Sequence, residues 1–270
     1  MSLDQWEASF LQFETDKRPE WGSNRGGLTE NYRQFEAKIP NNVAFFLPLI
    51  KKIIREKKVV VDYKLAGLKG LVDANYDPEE FQLLFMELTR MPLSGFHVRQ
   101  LVWLADYIIK NKLVSQELVS YLCKVASDDP NPEKAVNPDN PEFDLLNTNR
   151  GAAVHALVRC FTHMEFGDNI FGTLEKVAED PIISVKISAL RDLAVLMNID
   201  KEKTLRLFLK LTSDTEDYHI YNASIHSAQY LSRYNFMSLI PFFEKGIHVE
   251  KVQDQLAIVL AIAWLNDEKG

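Results

Sequence analysis

Apolar residues recur three and four positions apart along nearly the whole chain, the spacing of one face of an α-helix. No Asn-Gly or Asp-Gly turn separates two alternating runs. The pattern predicts an all-α protein, with helices over 4–14, 29–38, 42–57, 62–74, 78–91, 96–111, 115–127, 149–164, 167–179, 184–198, 201–213, 217–234, 236–245 and 249–265. Asp77-Pro78-Glu79-Glu80 is a start signal: a capping carboxylate, a proline at the first turn and two acids that complement the helix dipole. Asp200 and Asp217 are placed to cap in the same way. Two stretches break the pattern. Residues 15–28 hold Pro19, Gly22, Gly26 and Gly27 and read as a loop that Trp21 pins to the body. Residues 127–146 hold Pro130, Pro132, Pro138 and Pro141 among six acids, with Lys134 the one base, and read as a solvated insertion.

Several helices open alike: a small apolar or polar residue, a long polar one, then apolar or small residues that fill one face. Tyr63-Lys64-Leu65-Ala66, Val98-Arg99-Gln100-Leu101, Asn149-Arg150-Gly151-Ala152 and Val185-Lys186-Ile187-Ser188 share this opening. The long polar positions 64, 99, 150 and 186 are separated by 35, 51 and 36 residues, and a fifth start at Tyr221 adds 35. A unit of about 35 residues is a helical hairpin that cannot bury its apolar face alone and stacks on its neighbours. The spacing of 51 is one unit plus the Pro-rich acidic stretch.

Asp180-Pro181-Ile182-Ile183-Ser184-Val185-Lys186-Ile187-Ser188-Ala189-Leu190 resembles the HEAT repeat, in which an Asp-Pro turn leads into a second helix opening Val-Arg. Pro48 in Phe45-Phe46-Leu47-Pro48-Leu49-Ile50 and Pro241 in Leu239-Ile240-Pro241-Phe242-Phe243 are similar to the interior proline that kinks the first helix of such repeats. The resemblance covers about residues 40–267 and implies a right-handed α-α superhelix, a HEAT-like solenoid of about six to seven hairpins whose second helices line the concave face. On this reading residues 1–39 are N-terminal helices and a Gly/Pro loop packed on the array, and residues 40–270 are the array, interrupted at 127–146. Asn147-Thr148-Asn149-Arg150-Gly151-Ala152-Ala153 also resembles a segment from the helical-repeat tails of large bacterial ATP-binding proteins. No phosphate-cradling glycine loop ending in Lys-Ser/Thr occurs, so that resemblance implies a piece of a longer protein.

Charge narrows the partners. With 31 Lys and Arg against 38 Asp and Glu, the net charge of −7 supplies no general attraction for phosphate backbones. The densest basic run, Lys51-Lys52-Ile53-Ile54-Arg55-Glu56-Lys57-Lys58, reads as the basic C-terminal end and solvated face of a helix. Two cysteines form no disulfide framework, and the acidic N-terminus is no signal peptide, which points to the cytoplasm. The apolar run Leu256 to Leu265 is too short to span a bilayer. It is apolar on every side, so it either tucks into its own repeat or is covered by more chain, another subunit or a partner. Ile258, Ile262, Trp264 and Leu265 are therefore a candidate end-face interface.

Little here carries chemistry. Cys160 and His163 have half the spacing of a zinc site, but Cys160 falls on an apolar stripe and reads as a buried thiol; the acidic stretch lacks the alternation of a calcium loop. Asn222-Ala223-Ser224 matches a glycosylation acceptor inside a predicted helix and is set aside. His155, Arg191 and His226, spaced 36 and 35, would align on successive second helices. With Arg150, Arg159 and Lys186 they form a candidate basic strip for an acidic peptide or phosphate-bearing ligand, unless Arg99, Arg150 and Lys186 instead bond to neighbouring turns as a structural ladder. The expectation is a non-catalytic scaffold or regulatory segment that binds a protein partner, with no cofactor, metal, membrane or nucleic acid. HEAT-like DNA glycosylases and bilin lyases are the enzyme alternatives of the same architecture.

Overall fold

The computed structural model describes residues 1–16, 27–213 and 217–267, so Trp21 and its predicted pinning role lie outside the described residues. About 77% of the chain is helix, and no strand occurs among the described residues. The chain forms two compact units, Met1–Leu113 and Val114–Gly270.

In the first unit, α1 (Leu3–Gln12), α2 (Leu28–Lys38), α3 (Val43–Arg55), α4 (Val61–Asp73), α5 (Pro78–Thr89) and α6 (Phe96–Lys110) form two layers. One layer sets α2, α4 and α6 side by side; the other holds α1, α3 and α5, and each helix also packs on its chain neighbour across the layers. The side-by-side contact of α2 and α4 depends on missing side chains. A Cβ on Gly70 would sit 2.5 Å from Ile39 Cδ1 and 3.0 Å from the Glu36 carbonyl, so only glycine permits the approach. Phe10, Phe35, Phe46, Trp6 and Tyr63 fill the space between the layers, with Phe10 and Tyr63 ring centres 4.3 Å apart. The predicted boundary at 39/40 falls inside this unit, where Phe35 and Ile39 are wholly buried.

The second unit holds α7 (Gln116–Asp128), α8 (Pro141–Asp144), α9 (Asn149–Val158), α10 (Gly167–Val177), α11 (Ile183–Leu190), α12 (Lys201–Thr212), α13 (Tyr218–Gly246) and α14 (Gln253–Asp267). Here α9, α11 and the start of α13 lie side by side, and α7, α10 and α12 make the facing layer. α13 breaks at Asn235, whose φ of −152° is not helical, and its two segments match the predicted division at 235.

Two predicted helices stop short. The spans over 149–164 and 184–198 end as 3₁₀ turns, Arg159–Thr162 and Leu193–Asn198. Ser227 is the cause in the second case: its hydroxyl donates to the Leu190 carbonyl at 2.9 Å and accepts from the Ala194 amide at 3.2 Å, the two groups an α-helix would have joined.

The stretch 127–146 is solvated over most of its length, with 133–136 and 138–140 exposed, but it is not loose. It docks on α9: Asn131 Oδ1 accepts from the Asn149 amide, the Asn131 carbonyl from the Arg150 amide, and Asp129 from Asn149 Nδ2. Pro141, Asp144 and Leu145 are buried, and Asp144 accepts from the Asn137 amide at 2.7 Å. Two of the six acids, Asp129 and Asp144, accept from backbone amides, which composition alone does not reveal.

Candidate functional site

In the second unit the predicted strip is drawn from α9, α11 and α13. His155, Arg191 and His226 do converge, and what they converge on is a carboxylate. Asp192 Oδ2 lies 3.4 Å from His155 Nδ1. The hydrogen bond from His155, followed by the charges of His155, Arg191 and His226, holds this carboxyl below its usual range against the cost of burial. Asp192, Ala194, Val195, Met197, Lys201, His226 and Tyr230 line a cavity of about 420 Å³, in which the His226 and Tyr230 rings meet edge to face at 5.0 Å. The strip is therefore mixed in charge at its centre.

The other strip residues face elsewhere. Arg150 is mostly buried; Nη2 donates to the Pro132 carbonyl at 2.8 Å and meets Asp180 at 3.3 Å, joining the docked loop to the Asp-Pro turn before α11. Lys64, at the same register position in the first unit, is wholly buried and donates to the Glu56 and Ile54 carbonyls at the end of α3. Arg159 opens a 3₁₀ turn, half-buried, and Lys186 is half-buried on α11.

A larger concavity lies on the α2, α4 and α6 layer of the first unit. It encloses about 610 Å³, has an apolar floor that includes Leu65, Ala66, Val72 and Leu104, and is rimmed by Tyr32, Phe96, Trp103 and Tyr107. Phe96 and Trp103 are 50% and 43% exposed and meet edge to face at 6.2 Å. The Arg99 guanidinium sits 4.9 Å from the Phe96 ring centre and 5.4 Å from that of Trp103. Four of its charges are held within the protein: Asp62 pairs with His97 at 3.3 Å, Lys69 with Asp73, and Asp106 with Lys110 at 2.7 Å. Arg33 and Glu36, one turn apart on α2, form no ion pair or hydrogen bond among the described residues. Burial pushes the Glu36 carboxyl above its ordinary range.

This cleft escaped the sequence reading, although a signal was present. Phe96 and Trp103 are seven apart on α6, off the stripe Val98, Leu101, Val102, Ala105, Ile108 and Ile109 that packs inward. Two aromatic residues on the outward side of an amphipathic helix mark a contact surface.

The remaining candidates are two thiols, the α14 face and the basic run. The Cys160 thiol is fully buried, donates to the Ala156 carbonyl, and is pushed up to about 12 by burial, while the His163 ring is turned to Glu165. Burial also raises the Cys123 thiol. Among the described residues no group of three or more His, Cys, Asp or Glu is placed to hold a metal ion, and no helix is long and apolar enough to cross a membrane. On α14, Leu256, Val259 and Ala263 are buried, whereas Ile258, Trp264 and Leu265 are more than half exposed and Ile262 is half-buried. The dense basic run is largely neutralised: Lys51 pairs with Glu80, Lys52 with Glu7, and Arg55 with Glu87. Compared with protein-family models, curated proteins and solved structures, the chain matches none.

Proposed function

We propose that this chain is a non-catalytic, cytoplasmic protein-interaction module, a scaffold or regulatory segment, built of HEAT-like hairpins that stack within each unit as turns of an α-solenoid. The second helices, α2, α4 and α6 in one unit and α9, α11 and the 218–234 segment in the other, present the binding face. The observation that carries this reading is the exposed Phe96 and Trp103 pair at the rim of the cleft on that layer. Aromatic residues with an arginine beside them are the side chains that dominate protein interfaces, because they bury much area for little lost rotamer freedom.

Three further facts support it. The cleft carries as many acidic as basic lining residues, which suits a protein better than a phosphate backbone. Burial holds both thiols above their ordinary range, against formation of a nucleophilic thiolate. The exposed apolar side chains of α14 offer a second contact, to another copy or to further chain.

The test is photocrosslinking in the source cells with benzoylphenylalanine placed singly at Phe96, Trp103 or Leu83. Leu83 is 69% exposed on α5, in the opposite layer of the same unit. Adducts with a common protein at 96 and 103 and none at 83 are expected. Equal labelling at all three, or none, would overturn the assignment.

A further inference from the structure

The cleft of the first unit also defines what enters it. Its lining runs from Tyr32, Arg33 and Glu36 on α2, across Leu65, Ala66 and Val72 on α4, to Phe96, Trp103 and Leu104 on α6. Helices packed side by side lie about 8–10 Å apart, so two spacings come to roughly 16–20 Å. An extended chain advances roughly 3.3 Å per residue and crosses that distance in five or six residues. A single amino acid or small metabolite reaches only one end.

The two ends differ in chemistry. At the α6 end Asp106 and Lys110 are spent on each other, and Phe96 and Trp103 supply aromatic surface with the Arg99 guanidinium against both rings. At the α2 end Arg33 and the half-buried Glu36 have no ion pair among the described residues, and Glu36 lies within electrostatic reach of Lys69 and Arg33. A purely apolar occupant would strip water from the Glu36 carboxyl and offer it no hydrogen bond, which is costly. A phosphate would gain Arg33 but meet Glu36 beside it. An occupant with both signs of charge at that end satisfies both groups.

We propose that the cleft binds an extended segment of a partner protein, about six residues long. One end carries adjacent acidic and basic side chains for Arg33 and Glu36, and the other carries an aromatic or large aliphatic side chain for Phe96 and Trp103. The inference rests on the reading of the second-helix layer as the binding face and adds the sequence chemistry of what binds.

A displayed library of random decapeptides, selected on the immobilised full chain and counter-selected on the Arg33→Glu, Glu36→Arg double variant, tests it. Enriched peptides should pair an acidic with a basic residue and place an aromatic or large aliphatic residue four to six positions away. Individual peptides should bind Arg33→Gln, Glu36→Gln and Trp103→Ala at least about tenfold more weakly, a loss of about 1.4 kcal/mol. Helical circular dichroism equal to that of the natural chain shows that each variant is folded, and Trp103→Phe, which keeps the ring, should restore most of the affinity. No enrichment over the double variant, peptides of one charge sign, or affinity unchanged in Glu36→Gln would overturn the proposal. Crosslinks at 96 and 103 without this peptide preference would leave the interaction module standing and sink only the occupant.

Discussion

Asp62 and His97 show how one pair of side chains ties a pH dependence to the cleft. The hydrogen bond from His97 holds the Asp62 carboxyl below its ordinary range, and the same contact raises the His97 imidazole above its own. The raised histidine contributes stability in full below about pH 6.5, lost as pH climbs through its folded value. The depressed carboxylate contributes above about pH 3.9, lost as pH falls through its folded value. The pair is therefore strongest between about pH 4 and 6.5. Both side chains are about one-third exposed, so solvent screens them and the contribution stays under about 1 kcal/mol. His97→Gln should lower the thermal midpoint by about 3 °C at pH 5.5 and by less than about 1 °C at pH 9. A penalty equal at both pH values would mean that the pair is not ionised as described. Local features of this kind divide sharply in how far the sequence reveals them. The caps Asp77, Asp200 and Asp217 accept from amides two or three residues on, and their own neighbourhood is enough to find them. Asp62 and His97 are 35 residues apart, each two positions before Lys64 and Arg99, so the repeat period sets the positions side by side but does not say that their side chains pair.

Among whole elements, the chain repeats a construction that one span alone hides. Asn42 caps α3, accepting from the Phe45 amide at 3.3 Å, and Pro48 follows six residues later. Asn235 accepts from the Ser238 amide at 3.1 Å, opening the second segment of α13, and Pro241 again follows six residues later. A proline at the sixth helical position removes an amide that would have closed an intrahelical bond, so both helices lose that bond at the same depth. The helix spans and the break at 235 were legible because periodicity and proline are properties of the segment. The 3₁₀ end of α11 was not, because the group that splits its ladder, Ser227, arrives from α13. The docked loop has the same lesson: its anchor is Gly151, where a Cβ would lie 2.2 Å from the Leu145 carbonyl and 2.7 Å from Thr148 Oγ1. Gly151→Ala should either push the loop off α9 or shift α9 itself, a loss of about 1–3 kcal/mol despite alanine's better helix propensity. Chemical unfolding of the full chain measures it, and a neutral or stabilising result would mean that the loop yields freely.

At the level of the whole molecule, the net charge hides a segregation between the units. Residues 1–113 carry 15 acidic and 16 basic side chains, and residues 114–270 carry 23 and 15, so all of the excess acid lies in the second unit. A near-neutral unit with a dense basic run is the one place where nucleic acid might have been expected. There, Lys51, Lys52 and Arg55 each meet a glutamate of another helix, and Lys64 is buried against carbonyls. Duplex binding releases one counterion for each phosphate neutralised and weakens steeply with salt, so a surface whose cations already have partners gains little from it. The all-helical fold and the size of the chain alone would also suit a helical-repeat DNA glycosylase, and charge pairing is what separates the two readings. The pairing comes from α1 and α5 folding onto α3, which explains why the basic run looked open in the sequence. Fluorescence anisotropy of a labelled 20-base-pair duplex at 50 mM salt should show no binding below about 100 μM protein, weaker than ordinary non-specific association at physiological salt. Binding in the micromolar range that fades between 50 and 200 mM salt would bring back the glycosylase, with Lys57 and Lys58, which make no ion pair among the described residues, as the first side chains to replace.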